Sequence, residues 1–146
     1  MRNVISHSNY FKLLPKPDAN PKINIAAVLK KKSGDPSSDR YHCCSRAIQH
    51  STGIEFKVSF DLPKSNFDYK VHFRVENHGK DASKQKNNGD HSNVIIANRE
   101  QNGCFTARHW EDTTYTGLHY MFISVLEEDV IKIPESSFGV YVGPAK

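Results

Sequence analysis

The sequence predicts an all-β protein, a single-domain antiparallel β-sandwich of about seven to eight strands with one long polar loop. Three observations predict it. Two segments, IEFKVSF and YKVHFRVEN, alternate apolar and polar residues with the period of two that a half-buried strand requires. No stretch of about eleven residues carries an apolar stripe of helical period. Clusters of Gly, Pro, Asn, Asp and Ser punctuate the chain at short intervals, as turns between strands do. The 146 residues suit one ordinary domain with its own core. We divide the chain into an N-terminal extension, residues 1–20, and a sandwich domain, residues 21–146.

The elements follow in order. INIAAVL, ending at Leu29, is a short apolar run stopped by Lys30-Lys31-Lys32, and SGDPSSD after it is loop chemistry. YHCCSRAIQH, residues 41–50, fits a strand or one helical turn and is read as a strand. In the next strand Ile54, Phe56, Val58 and Phe60 face the core while Glu55, Lys57 and Ser59 face out. DLPKSNFD is a proline-containing turn. Tyr69, Val71, Phe73 and Val75 then point inward and Lys70, His72, Arg74 and Glu76 outward. Residues 78–93, HGKDASKQKNNGDHSN, hold almost nothing apolar and form the long exposed loop, a length more often functional or disordered than incidental. VIIAN is a brief strand, EQNG a turn and GCFTARHW a strand. HYMFISVLEED is aromatic and branched, Glu127-Glu128-Asp129 turn the chain, and the last strand covers Phe138 to Val142.

Composition narrows the function classes. No window approaches the eighteen or so apolar residues of a membrane span. The first twenty residues contain no apolar run of signal-peptide length, so a cytoplasmic protein is expected. Three cysteines, two of them adjacent at Cys43 and Cys44, fit free thiols better than a disulfide framework. His42-Cys43-Cys44 lacks the spacing zinc sites use, and the bland alternative is a strand with one buried thiol. Residues 1–46 carry nine Lys/Arg against three Asp/Glu, so the net charge of +4 is concentrated at the N-terminal end. Lys30-Lys31-Lys32 could attract an anionic partner, but such a run more often is a solvated strand end.

The chemistry-bearing residues crowd into ARHWEDTTYTGLHYMF, residues 107–122. An acid/base pair could combine Glu111 or Asp112 with His109 or His119, and alternation puts His109 and Glu111 on one strand face. No GxSxG, HExxH or phosphate-binding glycine loop is present, which points away from an enzyme and from a cofactor. The same residues suit binding: Trp110, Tyr115 and Tyr120 offer flat faces with polar tips, and Arg108, His109 and His119 offer donors, a set able to hold a nucleobase and its phosphates. The aromatic rings would equally well fill a sandwich core.

Two motifs carry a resemblance. Phe73, Val75, Asn77, Gly79 and Ala82 form one; Glu111, Thr113, Tyr115, Gly117 and His119 form the other, five fixed types at alternate positions. In this order and separation they resemble the C-terminal sensor domain of bacterial adenylyl/guanylyl nucleotidyltransferases of the second-messenger type. The resemblance spans most of the chain from about Ile23. Where that family carries Leu-Arg-Gly between the motifs, this chain has Asn87-Asn88-Gly89-Asp90, leaving Lys84, Lys86 or His91 to supply the charge without the fork of an arginine. The Gly-Ser and paired aspartates of a nucleotidyltransferase are missing, so the chain looks like a stand-alone or excised sensor-like domain.

The resemblance implies recognition of a nucleotide second messenger or an oligonucleotide in antiviral signalling. Glu111, Thr113, Tyr115, His119 and Asn77 would make polar contacts, Trp110 or Tyr120 would stack, and Arg108 with the loop lysines would offset phosphate charge. A shared face of Glu111, Thr113 and Tyr115 could instead be a hydrogen-bonded network that fixes register. Two other classes stand beside this one: a protein-interaction module docking on a nucleotidyltransferase or effector through a sheet edge, and a metal-dependent hydrolase built on His109, Glu111 and His119.

Overall fold

A computed structural model describes residues 21–32, 34–36 and 38–144, so the expected extension over residues 1–20 lies outside the described residues. The described residues form ten strands: β1 (Asn24–Leu29), β2 (Arg40–Tyr41), β3 (Ala47–Ile48), β4 (Ile54–Phe60), β5 (Tyr69–Glu76), β6 (His91–Ile96), β7 (Asn98–Arg99), β8 (Phe105–Glu111), β9 (Gly117–Glu127) and β10 (Val130–Val142). They form two five-stranded sheets, ordered β2-β1-β4-β8-β7 and β3-β10-β9-β5-β6. Every pairing is antiparallel except the short one between β3 and β10. The all-β expectation holds; the strands beyond seven or eight are the two-residue pieces β2, β3 and β7.

Those short pieces close the flanks. Where the sequence reads as one strand over residues 41–50, the structure places β2 at the edge of the first sheet and β3 at the edge of the second, with a turn at His42–Ser45 between them. On the other flank β6 edges the second sheet and β7, two residues on, edges the first. One chain segment thus changes sheet on each side, which shortens the free edges a sandwich would otherwise present.

Alternation sets the core as expected. Phe56, Val58, Phe60, Val71, Phe73, Ala107, Ile123 and Val125 are buried between the sheets. At one end of the sandwich the rings of Phe60, Tyr69 and Phe105 pack together with centroids 4.8–6.0 Å apart. Glu55 points away from this core but is only 6% exposed, because Lys30 Nζ lies 2.9 Å from its carboxylate. The basic run is therefore split: Lys30 covers Glu55, while Lys31 and Lys32 are exposed.

The polar segment after β5 is folded rather than irregular. A one-turn helix, α1 (Lys80–Ser83), buries Ala82 completely, and a 3-10 turn over Lys86–Gly89 follows. Strand β6 already begins at His91. Asn87 and Asn88 both take positive φ, a conformation Asn tolerates better than most residues, so the asparagines that read as loop composition supply a specific turn. Neither Cys43 nor Cys44 is buried, so the sulfur-bearing strand is replaced by an exposed turn.

Candidate ligand-binding site

A cavity of about 180 Å³ opens at the end of the sandwich opposite the Phe60–Tyr69–Phe105 cluster. Its floor is apolar, from Ile54, Phe56, Val75, Met121, Val140 and Val142. Its polar wall comes from the connection after β5, the start of β6 and the connection between β8 and β9. Strand ends from both sheets converge here, a location where loops can carry specificity on a rigid base.

The two connections are sewn to each other. Gly79 and Gly117 face one another so closely that a Cβ on Gly117 would lie 2.7 Å from the His78 carbonyl, and one on Gly79 would lie 2.7 Å from that of Thr116. Both also have positive φ, so glycine is required twice over. Thr116 donates its backbone N–H to Asp81 on α1 at 3.0 Å, which holds the Asp81 carboxyl below its ordinary range. Ala82, next to Asp81 on the same helix, is fully buried.

His119 completes the seam. Its Nδ1 accepts the His78 backbone N–H at 3.1 Å, and its Nε2–H donates to the Tyr115 carbonyl at 2.5 Å. One nitrogen accepting and the other donating fixes the neutral tautomer. Burial lowers the His119 pKa, outweighing that carbonyl. Thr113 is similarly occupied: its hydroxyl oxygen accepts the Gly53 N–H at 3.0 Å and its carbonyl accepts that of Ser51 at 2.8 Å.

Across the cavity mouth, Glu111 receives His91 Nε2 at 2.8 Å and, on its other oxygen, His109 Nε2. His91 Nδ1 faces the Gly89 carbonyl at 3.0 Å. Burial opposes the charged form of His91, but the Gly89 carbonyl and Glu111 outweigh it and the pKa is raised. Asn77 is buried beside this group, its backbone N–H on Asp90 at 2.7 Å and its Nδ2 on the Gly89 carbonyl at 3.0 Å.

The expected site residues divide accordingly. Asn77, Glu111, Thr113, Tyr115 and His119 all line the cavity. Glu111 does so from the end of β8 and His119 from the start of β9, while Thr113 and Tyr115 belong to the connection between them, so their convergence comes from its winding rather than from alternation. Arg108 and Trp110 lie on the opposite face of β8. Arg108 is exposed, 3.7 Å from Glu55, and Trp110 donates its indole N–H to the Lys30 carbonyl at 2.9 Å. Trp110 covers Gly53, where a Cβ would meet its ring at 2.7 Å; it clamps the β1–β4 region and offers no stacking face to the cavity. The expected metal set is divided as well, since His109 and Glu111 meet while both nitrogens of His119 are bonded elsewhere. Among the described residues no group of three His, Cys, Asp or Glu is arranged to hold a metal ion.

Phe56, Val140 and His91 were not singled out as site residues. Phe56 reads as core by alternation, Val140 only as part of the last strand and His91 only as a replacement charge; nothing in their spacing links β4, β6 and β10.

A family model described as the Adenylyl/Guanylyl and SMODS C-terminal sensor domain matches residues 3–143. The chain belongs to this family. The sensor domain is also 34% identical over 143 residues to a cytidylate cyclase of Escherichia coli, an alignment covering 92% of this chain and 31% of the relative. The chain thus spans about a third of that relative's length. The residues that carried the resemblance now have physical roles in the sensor fold: Asn77, Gly79, Gly117 and His119 hold the two connections together around the cavity.

Proposed function

We propose that this sensor domain recognises a nucleotide or a nucleotide of a nucleic acid, taking the base into the end cavity, in bacterial antiviral second-messenger signalling within the cytoplasm. The observation that carries this reading is the cavity itself. Apolar cavities of about 150 Å³ accept a single aromatic ring, and this one adds polar groups on one wall with which to orient it. The signalling setting rests on the family and on a relative named for forming a cyclic nucleotide. Among the described residues no lysine or arginine lines the cavity, so sugar and phosphate remain at the mouth.

Thermal unfolding in the presence of nucleosides, linear nucleotides and cyclic nucleotides tests this. A ligand of the native state stabilises by about 2.7 kcal/mol at one hundred times its dissociation constant, which a melting curve resolves. Absence of any shift with every base at millimolar concentration would overturn the reading.

A second reading is favoured by one observation. Val94 and Ile96 on edge strand β6 are 57% and 53% exposed, as a surface used to dock on a nucleotidyltransferase or effector would be. Lysines at both positions should abolish co-purification with such a partner while leaving ligand-induced stabilisation intact; retained co-purification would remove this reading.

A further inference from the structure

The hydrogen-bonding capacity of the cavity wall is lopsided. His119 has both ring nitrogens engaged within the protein, and His91 directs both of its nitrogens at protein acceptors. The amide nitrogen of Asn77 is bound by the Gly89 carbonyl, and that bond orients the side chain, because only the nitrogen can donate to a carbonyl. Its Oδ1 is left with no donor among the described residues, although Asn77 is only 7% exposed. Glu111 can only accept, and its carboxylate retains lone pairs beyond those facing His91 and His109. Asp112, also in the lining, accepts the Thr113 N–H on one oxygen at 2.8 Å and has a second. The hydroxyl hydrogens of Thr113, Thr114, Tyr115 and Tyr120 are the remaining side-chain donors, and each of these hydroxyls can accept as well as donate.

A buried acceptor without a donor costs free energy until something satisfies it. Water can do so in the empty cavity. A ligand that expels the water must bring N–H groups of its own, and a carbonyl placed against Asn77 Oδ1 or Glu111 would meet oxygen with oxygen. From this we infer that the cavity selects heterocycles bearing an exocyclic amine, the amine donating to Asn77 Oδ1 and the acidic wall, and that it reads the base rather than the phosphate. The inference rests on the base-recognition reading above and specifies its ligand class. Cytosine, adenine and guanine derivatives qualify; uracil and hypoxanthine derivatives, which carry no exocyclic amine, do not. A site built to receive an N–H discriminates strongly against the analogue without it, because its own polar group is then stranded.

The test uses pairs matched in shape and differing in the amine: cytidine against uridine, and adenosine or guanosine against inosine, each as nucleoside and as 5′-monophosphate, titrated into the protein by calorimetry. The amine-bearing member of at least one pair should bind on the order of 100-fold more tightly, with nucleoside and monophosphate alike to within about tenfold. Asn77→Leu should weaken the amine-bearing ligand by tenfold or more and narrow its advantage over its partner. Should that variant fail to fold, Glu111→Gln, which introduces a donor into the wall, should narrow the same advantage. Equal affinity within every pair overturns the inference while base recognition stands. Binding that requires the phosphate overturns it also. If no nucleoside or nucleotide binds at all, base recognition itself fails and the inference falls with it.

Discussion

The two ends of this sandwich are made from the same strands and have opposite characters. At one end β4 finishes with Phe60, β5 begins with Tyr69 and β8 begins with Phe105, and their rings fill the space between the sheets. At the other, β4 begins with Ile54, β8 finishes with Glu111 and β9 begins with Gly117, and a cavity remains that is ringed by polar groups. The closed, ring-packed end is held by bulk, with a second pocket on its outside bordered by Lys64, Ser65, Asp68, Asn98 and Arg99; the open end needs each polar group placed and paired. Stability should therefore concentrate at the first and ligand chemistry at the second.

The largest test of that division is at the closed end. Phe60→Ala removes a ring that is 2% exposed and stacked on Phe105 at 5.5 Å, and should cost about 3–5 kcal/mol in chemical denaturation. A loss below about 1 kcal/mol would show that this end does not carry the stability assigned to it. At the open end, Gly117→Ala forces a methyl group against the His78 carbonyl at a φ of 132°. It should cost about 1–3 kcal/mol and, by parting the two connections, weaken ligand binding more than Phe60→Ala does once both variants are compared below their melting temperatures. Equal effects on binding would erase the distinction between the ends.

The smallest effect is a pair of opposed pH dependences within the open end. His119 is depressed from its ordinary value of 6.5, so its stabilising contribution is full above that pH and is lost as pH falls through the lower folded value. His91 is raised, so its contribution is full below 6.5 and is lost as pH rises through the higher folded value. Denaturation midpoints measured from pH 5 to 8 should lose part of their acid-side slope in His119→Gln and part of their alkaline-side slope in His91→Asn. Unchanged slopes in both variants would show that neither histidine is held as the geometry indicates.

Much of the closed end was legible in the chain. Alternation in β4 and β5 gave the inward residues correctly, because a strand's side-chain direction is local and needs no knowledge of its neighbours. The polar segment from His78 to Asn93 was less legible. Its composition reads as loop, and only the burial of Ala82 and the positive φ of Asn87 and Asn88 turn it into a folded connection. Trp110 was misleading for the same reason: a large aromatic beside Glu111 reads as a stacking platform, while its strand parity sends it to the other face, onto Gly53. Glu55 read as a solvated strand position until Lys30 was seen to lie across it.

For this protein the sequence by itself determined the all-β class, the inward faces of β4 and β5 and the family, since each follows from period, composition or a spaced set of residue types. The tertiary structure alone decided what those residue types do. Gly79 and Gly117 are glycines because two distant backbones touch, and His119 is a neutral histidine because His78 and Tyr115 approach it from two connections. The acceptor-rich wall exists only where Asn77, from the connection after β5, meets Glu111 and Asp112 at the end of β8. Contacts between groups far apart along the chain have no period to read, and the cavity is made entirely of them.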